Sequence, residues 1–462
     1  MDGTLQTALS YMLKMFNSKY RRIKHTSNSK YMGHEIIFML CVFTVLAVVL
    51  ILVIKKIFNS CFNIDLDKFL NPLIFYLLIL IFFEIISFVF LYKRRELVSK
   101  IDIPEMSDES KKISRKISQL FNDKQLIDVL KLSNVTRYGY EMPEIYVYLD
   151  DDQDSGYIAI ENIGGNYLTL DKEKYNQIVS GIIGGKYKKY SVVSSELILS
   201  DTYVLFHFED VLTSKRFILN SPDDLKECLS ENPNIIKFSK DLSLDFSDTA
   251  HLSIVARTRA GKTFLAGRYL AEIMVLQGWE VEYNSAKRDL YVDKFNGQHE
   301  PVKIVERAEY YCEVMLERLE TIHSAGKEKY KDIGLSDIGL FFDEIGNLNA
   351  ALDSEKEYKK RWEQAINKLS ATGGSAGIHI IAISQHATKE GFLPSLARVN
   401  CSDAVIMLGG AADSADERRY LMSGYADMPR RNYKKGTGLA RFISAKPKWH
   451  TPHYYETPLI NF

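Results

Sequence analysis

The sequence lacks paired cysteines. Its five cysteines (Cys41, Cys61, Cys228, Cys312, Cys401) are scattered with no Cys-x-x-Cys, which argues against a disulfide framework or a zinc site and fits a reducing compartment. It also lacks a charge imbalance. Lys+Arg and Asp+Glu both number 59, so the chain is no basic nucleic-acid coat, although local basic patches remain open to it. Neither an internal repeat nor a low-complexity tract interrupts the 462 residues, and 46% apolar residues suffice for folded cores in two or three units.

What is present first is apolar length. Ile36 to Ile54 carries no charge, and Phe69 to Leu91 carries one acid, Glu84. Each reaches the roughly 20 residues that a helix needs to cross a bilayer. Lys19, Arg21, Arg22, Lys24 and Lys30 precede the first run, and Lys93, Arg94, Arg95 and Lys100 follow the second, against Lys55, Lys56 and Lys68 between them. The positive-inside rule places both termini in the cytoplasm and the hairpin tip outside. Glu84 reads either as a polar contact to another helix or subunit, or as a carboxyl tolerated by a local bond.

The expected organisation is a segment 1–35, a transmembrane hairpin 36–92, a helical stalk 93–135, a small α/β module 136–235 and an α/β domain 236–462. The stalk rests on SKKISRKISQLF, whose apolar residues recur at helical spacing. The module rests on short β-like runs such as EIYVYL and ELILSDTYVLFHF. Within it, Lys186, Tyr187, Lys188, Lys189 and Tyr190 interleave bases with aromatics, a pattern that serves nucleic-acid contact or a plain surface loop.

The segment HLSIVARTRAGKTFLAGRYL carries the chemistry. An apolar strand enters a loop, then Gly-Lys-Thr, then a helical stretch, the context that a phosphate-binding P-loop requires. The expected nucleotide-binding residues are Ala256, Arg257, Thr258, Arg259, Ala260, Gly261, Lys262 and Thr263, with Lys262 on the β- and γ-phosphates of ATP and Thr263 on Mg²⁺. Ala256 stands where the pattern opens with glycine, so a negative φ is required there. IGLFFDE, residues 338 to 344, is a hydrophobic strand ending in two acids: Asp343 to hold Mg²⁺ and Glu344 to polarise the attacking water. A third strand, GIHIIAIS, ends at Gln385, suited to sensing the γ-phosphate, with His386 shaping the loop beside it. EVEYNSAK ends near Lys287, also expected close to the phosphates.

With those residues, the chain resembles the FtsK/SpoIIIE branch of DNA-translocating ATPases, and within it the TcpA-like conjugative coupling proteins of Gram-positive mobile elements. HLSIVARTRAGKT, LFFDEIGNL, GGSAGIHIIAISQ and LARVNCSDAVIMLGGAADS carry the likeness, over roughly residues 240 to 445. The resemblance implies a RecA-like motor with a parallel sheet, a homo-hexameric ring, double-stranded DNA in its channel, and a relaxase or conjugation-channel partner at the plasma membrane of a bacterium. It makes Arg398 the choice for an arginine acting across a subunit interface, with Arg418 and Arg419 as competitors. Pro429 to Lys435 (PRRNYKK) reads as channel lining or surface loop. The stretch from Phe442 onward is too short for a winged-helix module. Two other functions stay open: a protein-translocating secretion ATPase, and a degenerate P-loop scaffold at the membrane.

Overall fold

The computed structural model describes residues 33–61, 67–93, 101–121, 130, 134–136, 139–141, 143–162, 172–198 and 201–462. Lys19, Arg21, Arg22, Lys24, Lys30, Arg94, Arg95 and Lys100, on which the membrane orientation rests, lie outside them.

Residues 27–105 form a unit of their own. In it, α1 (Gly33–Cys61) and α2 (Asp67–Lys93) pack side by side, and both are long and apolar enough to cross a membrane. Their side chains face outward almost throughout, as a lipid-facing hairpin requires and a soluble core helix does not. Glu84 finds its partner inside this hairpin, accepting the Thr44 hydroxyl at 3.0 Å. Its Oε2 is buried with no hydrogen-bond partner among the described residues.

The second unit begins at Met106. Here α3 (Asp108–Leu120) starts where Ser107 accepts the Ser110 amide and where Asp108 and Glu109 meet the positive helix end. This helix was expected in the stalk. Instead Ile117 and Phe121 are fully buried against a four-stranded antiparallel sheet, so the module starts near residue 106 rather than 136. That sheet comprises β1 (Ile145–Leu149), β2 (Ser155–Glu161), β3 (Tyr190–Leu197) and β4 (Tyr203–Asp210) in the order β1-β2-β4-β3. The helix α4 (Lys172–Lys186) shares its core through Val179 and Ile183. The basic-aromatic stretch after α4 is half folded in: Tyr190 is buried with its hydroxyl donating to Gln153 O, and Lys189 reaches Asp210 at 3.4 Å. Lys186 and Lys188 stay exposed.

The larger sheet has seven strands. In chain order they are β5 (Leu252–Ala256), β6 (Glu280–Ser285), β7 (Ile338–Asp343), β8 (Ile378–Ser384), β9 (Ala404–Leu408), β10 (Thr437–Phe442) and β11 (His453–Glu456). Their spatial order is β6-β7-β8-β5-β9-β10-β11, parallel through β9 and antiparallel beyond it. The parallel strands are near-continuous apolar runs because helices cover both faces. One face carries α6 (Pro301–Ser324), α7 (Ile345–Leu352), α8 (Lys356–Thr372) and α9 (Ser395–Asn400). The other carries α5, the stretch Phe264–Leu276, whose first seven residues are wound as a π-helix. This is the parallel-rich α/β sheet of a P-loop domain, in agreement with the RecA-like fold that the family resemblance implies.

One further boundary shifts. Leu219, Leu225, Ile236 and Leu244 are buried in the larger domain's core, so its packing begins well before residue 236. The segment after Phe442 supplies β11, and Leu459–Ile460 pairs in parallel with Ile218–Leu219.

Candidate functional site

Parallel strands bring their carboxyl ends to one edge, where ligands bind in open α/β sheets. Because β8 lies between β5 and β7, the P-loop after β5 and the acids after β7 stand apart with room between them, and Gln385 at the end of β8 occupies the middle.

Ala256 is the last residue of β5, fully buried and paired with Leu408, and its φ is not positive. Alanine therefore meets no strain there. The left-handed positions of the loop are Arg259 (φ 67°) and Gly261 (φ 106°). Arginine in that region costs on the order of 1 kcal/mol. Arg257, Thr258 and Arg259 are exposed, whereas Ala260 and Lys262 are buried. Arg257 packs along Gly410, where an added methyl would stand 3.3 Å from its Cδ. Thr263 is exposed at the opening of α5, whose free amides and positive end attract phosphate. Further along, Gly267 lies under the Tyr291 ring, and a side chain there would come within 2.5 Å of it.

Lys262 joins the two halves of the site. Its Nζ lies 3.1 Å from Asp343 Oδ1 and 2.8 Å from Glu344 Oε1. Glu344 adopts a left-handed conformation (φ 54°), uncommon for a non-glycine residue and characteristic of working sites. Its amide donates to Asp343 Oδ1 at 2.7 Å. Its other oxygen accepts the Gln385 amide at 2.9 Å, and Thr258 donates to Gln385 Oε1 at 3.0 Å. A continuous chain of polar contacts thus runs from the P-loop through the middle strand to the acids.

Environment splits the two carboxyls. Burial raises the pKa of Asp343, with Glu344 beside it adding to the effect and Lys262 opposing it. For Glu344 burial also acts upward, but the Lys262 ammonium and the Gln385 amide outweigh it and hold the pKa below the ordinary value. Glu344 is ionised at neutral pH. Tyr283, which reads in the sequence as a core residue of β6, donates its hydroxyl to Asp343 Oδ2 at 2.8 Å from a fully buried position. Lys287 is exposed at the end of β6, and its charge contributes to the lowered Glu344 pKa.

His386 turns away from this row to Glu417, 2.9 Å from Nδ1 to Oε1. The arginines separate clearly. Arg418 is buried, and its guanidinium donates to the carbonyls of Ala412, Tyr425, Ala426 and Met428. It is a structural clamp and is withdrawn as a candidate for an arginine acting on a neighbour. Arg419 is exposed, with Asp416 at 3.8 Å. Arg398 sits on α9, which leads into the amino end of β9 and so lies at the sheet edge opposite the P-loop. It rests over the Tyr420 ring at 5.0 Å, and its Nη1 has no hydrogen-bond partner among the described residues. In the 429–435 stretch, the Arg431 and Tyr433 amides are held by Asp413 and the Arg431 guanidinium donates to Val192 O, while Arg430, Lys434 and Lys435 are exposed.

Fold and site together define a P-loop nucleotide-binding domain carrying a second acidic strand. No protein-family model and no curated protein matches the chain. Among solved structures, it is similar to the pCW3 conjugation coupling protein TcpA, solved as a monomer with ATPγS, at 16% identity and a TM-score of 0.46, over 69% of this chain and 89% of that one. It is also similar to the cytoplasmic domain of the Thermomonospora curvata type VII secretion ATPase EccC (16% identity, TM-score 0.39, 53% and 32% covered). EssC from Geobacillus thermodenitrificans follows at 13% identity and a TM-score of 0.39, with 54% and 47% covered.

Proposed function

We propose that this chain is a membrane-anchored ATPase that hydrolyses ATP to move a polymer, and that the polymer is double-stranded DNA. The observation that carries the ATPase reading is Lys262 bound at once to Asp343 and Glu344, with Gln385 fastened to the same Glu344. A triphosphate entering the loop competes for Lys262 through a higher negative charge density, and the release of Lys262 leaves the Glu344 carboxylate free to accept a proton from water. Gln385, which bridges Thr258 of the loop and Glu344, would report the γ-phosphate to the base, since its amide both donates and accepts.

The donor set fits Mg²⁺. Thr263 and Asp343 offer hard oxygen ligands, and no cluster of three or more His, Cys, Asp or Glu occurs among the described residues. A cation that is held by one or two carboxylates, phosphate oxygens and water needs no such cluster. When bound, Mg²⁺ would neutralise charge on the β- and γ-oxygens.

The motif resemblance is the support for DNA as the load, for a hexameric ring with Arg398 reaching a neighbour's site, and for a relaxase or channel partner. Exposed Arg430 and Lys434 supply cations for phosphate contact. The deciding experiment measures ATP turnover of the full chain in detergent, with and without double-stranded DNA, beside Lys262→Ala. DNA-stimulated turnover that this substitution abolishes is the expected result. Stimulation by a secretion-signal peptide and not by DNA would transfer the load to protein, and absence of ATP binding would leave a scaffold.

A further inference from the structure

The P-loop chemistry accounts for the phosphates and leaves the other end of the nucleotide without a seat. On the P-loop reading the γ end lies toward Glu344 and Gln385. A triphosphate bound in that way would run along the loop to the opening of α5 and bring its α end and the attached nucleoside out beside Thr263 and Phe264. Phe264 is an aromatic side chain left 45% exposed in the first turn of α5.

Its surroundings are built. The turn Lys434–Thr437 is fastened to the P-loop by the Gly436 amide, which donates to Ala260 O at 2.9 Å. Gly436 itself requires glycine: its φ is 73°, and an added methyl would stand 2.9 Å from Thr457 Oγ1. Thr457 returns its amide to Gly436 O at 2.8 Å and accepts Arg216 Nε at 2.9 Å. That anchoring holds the Lys435 ammonium 5.6 Å from the Phe264 ring centre. Arg268, one turn along α5, lies 5.5 Å from the same ring and 5.2 Å from that of Phe462. Both cations lie over the ring near the outer limit of cation–π contact, about 6 Å, while the side chain keeps 45% of its surface exposed. An exposed aromatic with cations beside it is an arrangement on which nucleobases stack, and because every base has a π-face such a platform is base-tolerant.

We propose that Phe264 is the stacking platform for the purine base of the bound nucleoside triphosphate, with Lys435 and Arg268 as its cationic neighbours. This assignment rests on the P-loop reading above.

The test uses the full chain in detergent and compares ATP, GTP and inorganic tripolyphosphate. In Phe264→Ala, KM for ATP and for GTP rises roughly 5- to 100-fold, by more than any change in kcat. The inhibition constant of tripolyphosphate, which has no base, stays within twofold. Phe264→Trp restores the KM values and Phe264→Leu does not, which separates stacking from apolar burial. An unchanged KM in Phe264→Ala overturns the proposal, and so does a parallel rise in the tripolyphosphate constant, which would make Phe264 a support of the loop. Binding of neither tripolyphosphate nor ATP by the unsubstituted chain would instead remove the P-loop reading and the platform with it.

Discussion

Gln385 donates to Glu344 Oε2 across 2.9 Å, from the end of one strand to the first residue beyond the next. The contact exists because β8 is inserted between the P-loop strand and the acid strand. It holds the carboxylate oxygen that Lys262 leaves free, so Lys262 on Oε1 and Gln385 on Oε2, with Asn347 at 3.4 Å, restrain Glu344 together. Replacing Gln385 with Ala removes one restraint and the link to Thr258. If DNA is the load, turnover in Gln385→Ala is expected to lose its stimulation by DNA more than it loses basal rate, read by the ratio of stimulated to basal ATPase.

Glu344→Gln keeps size and hydrogen bonding but removes the base. The expected fall in kcat is roughly 100- to 10,000-fold with nucleotide affinity retained, checked by steady-state turnover beside equilibrium ATP binding. A fall in affinity that matched the fall in rate would remove Glu344 from the role of base.

Tyr283→Phe deletes a single buried hydrogen bond to Asp343. Supporting contacts of this kind tune metal affinity by roughly 10- to 100-fold. The Mg²⁺ concentration for half-maximal turnover should rise accordingly, while stability changes by about 1 kcal/mol. A Mg²⁺ titration of turnover beside a thermal melt separates the two effects.

Arg418→Ala leaves the buried carbonyls of Ala412 and Met428 and the half-buried ones of Tyr425 and Ala426 without this donor. Destabilisation of about 3 kcal/mol or more is expected from such a loss. Arg419→Ala, at an exposed site, should melt like the unsubstituted chain. Equal melting temperatures for the two variants would contradict the structural assignment.

His251 gives a pH dependence. Burial depresses its pKa to about 3, with His379 nearby acting in the same direction. Its Nδ1 accepts the Ile380 amide and its Nε2 faces Ser370 O, a pattern that the neutral ring satisfies. The unfolded imidazole takes up a proton near pH 6.5. Between pH 6.5 and about 3 the unfolded state therefore holds more protons, and stability falls as pH falls, by at most about 1.4 kcal/mol per unit. Denaturant titrations across that window should show the slope, and His251→Gln should flatten it.

Legibility in the sequence followed the range of the interactions involved. LSIVA and IGLFFD emerge as strands at the positions read from their apolar runs, since parallel strands buried on both faces need no partner to be recognised. Helix α3 was misplaced because Ile113, Ile117 and Leu120 make a stripe that fits a stalk as well as a sheet cover. Arg418 was misjudged because burial of an arginine depends on carbonyls that only the folded chain gathers. Tyr283 carried no signal at all: a tyrosine in a hydrophobic strand looks like packing until its hydroxyl is seen on Asp343. Ala256 departs from the motif without backbone strain, because the left-handed turn falls at Arg259 and Gly261.

The strand His453–Glu456 pairs with Thr437–Ala440, and Leu459–Ile460 with Ile218–Leu219. A fragment trimmed to the motif-bearing stretch, 240 to 445, would lose both. The backbone of β10 would then become a raw edge, open to pairing with other molecules, a known route to aggregation. The damage would also travel inward, because Gly436, whose amide holds the P-loop, sits directly before that strand. The last twenty or so residues, which look like an untidy tail, are the hem that keeps the sheet from unravelling toward its own nucleotide site.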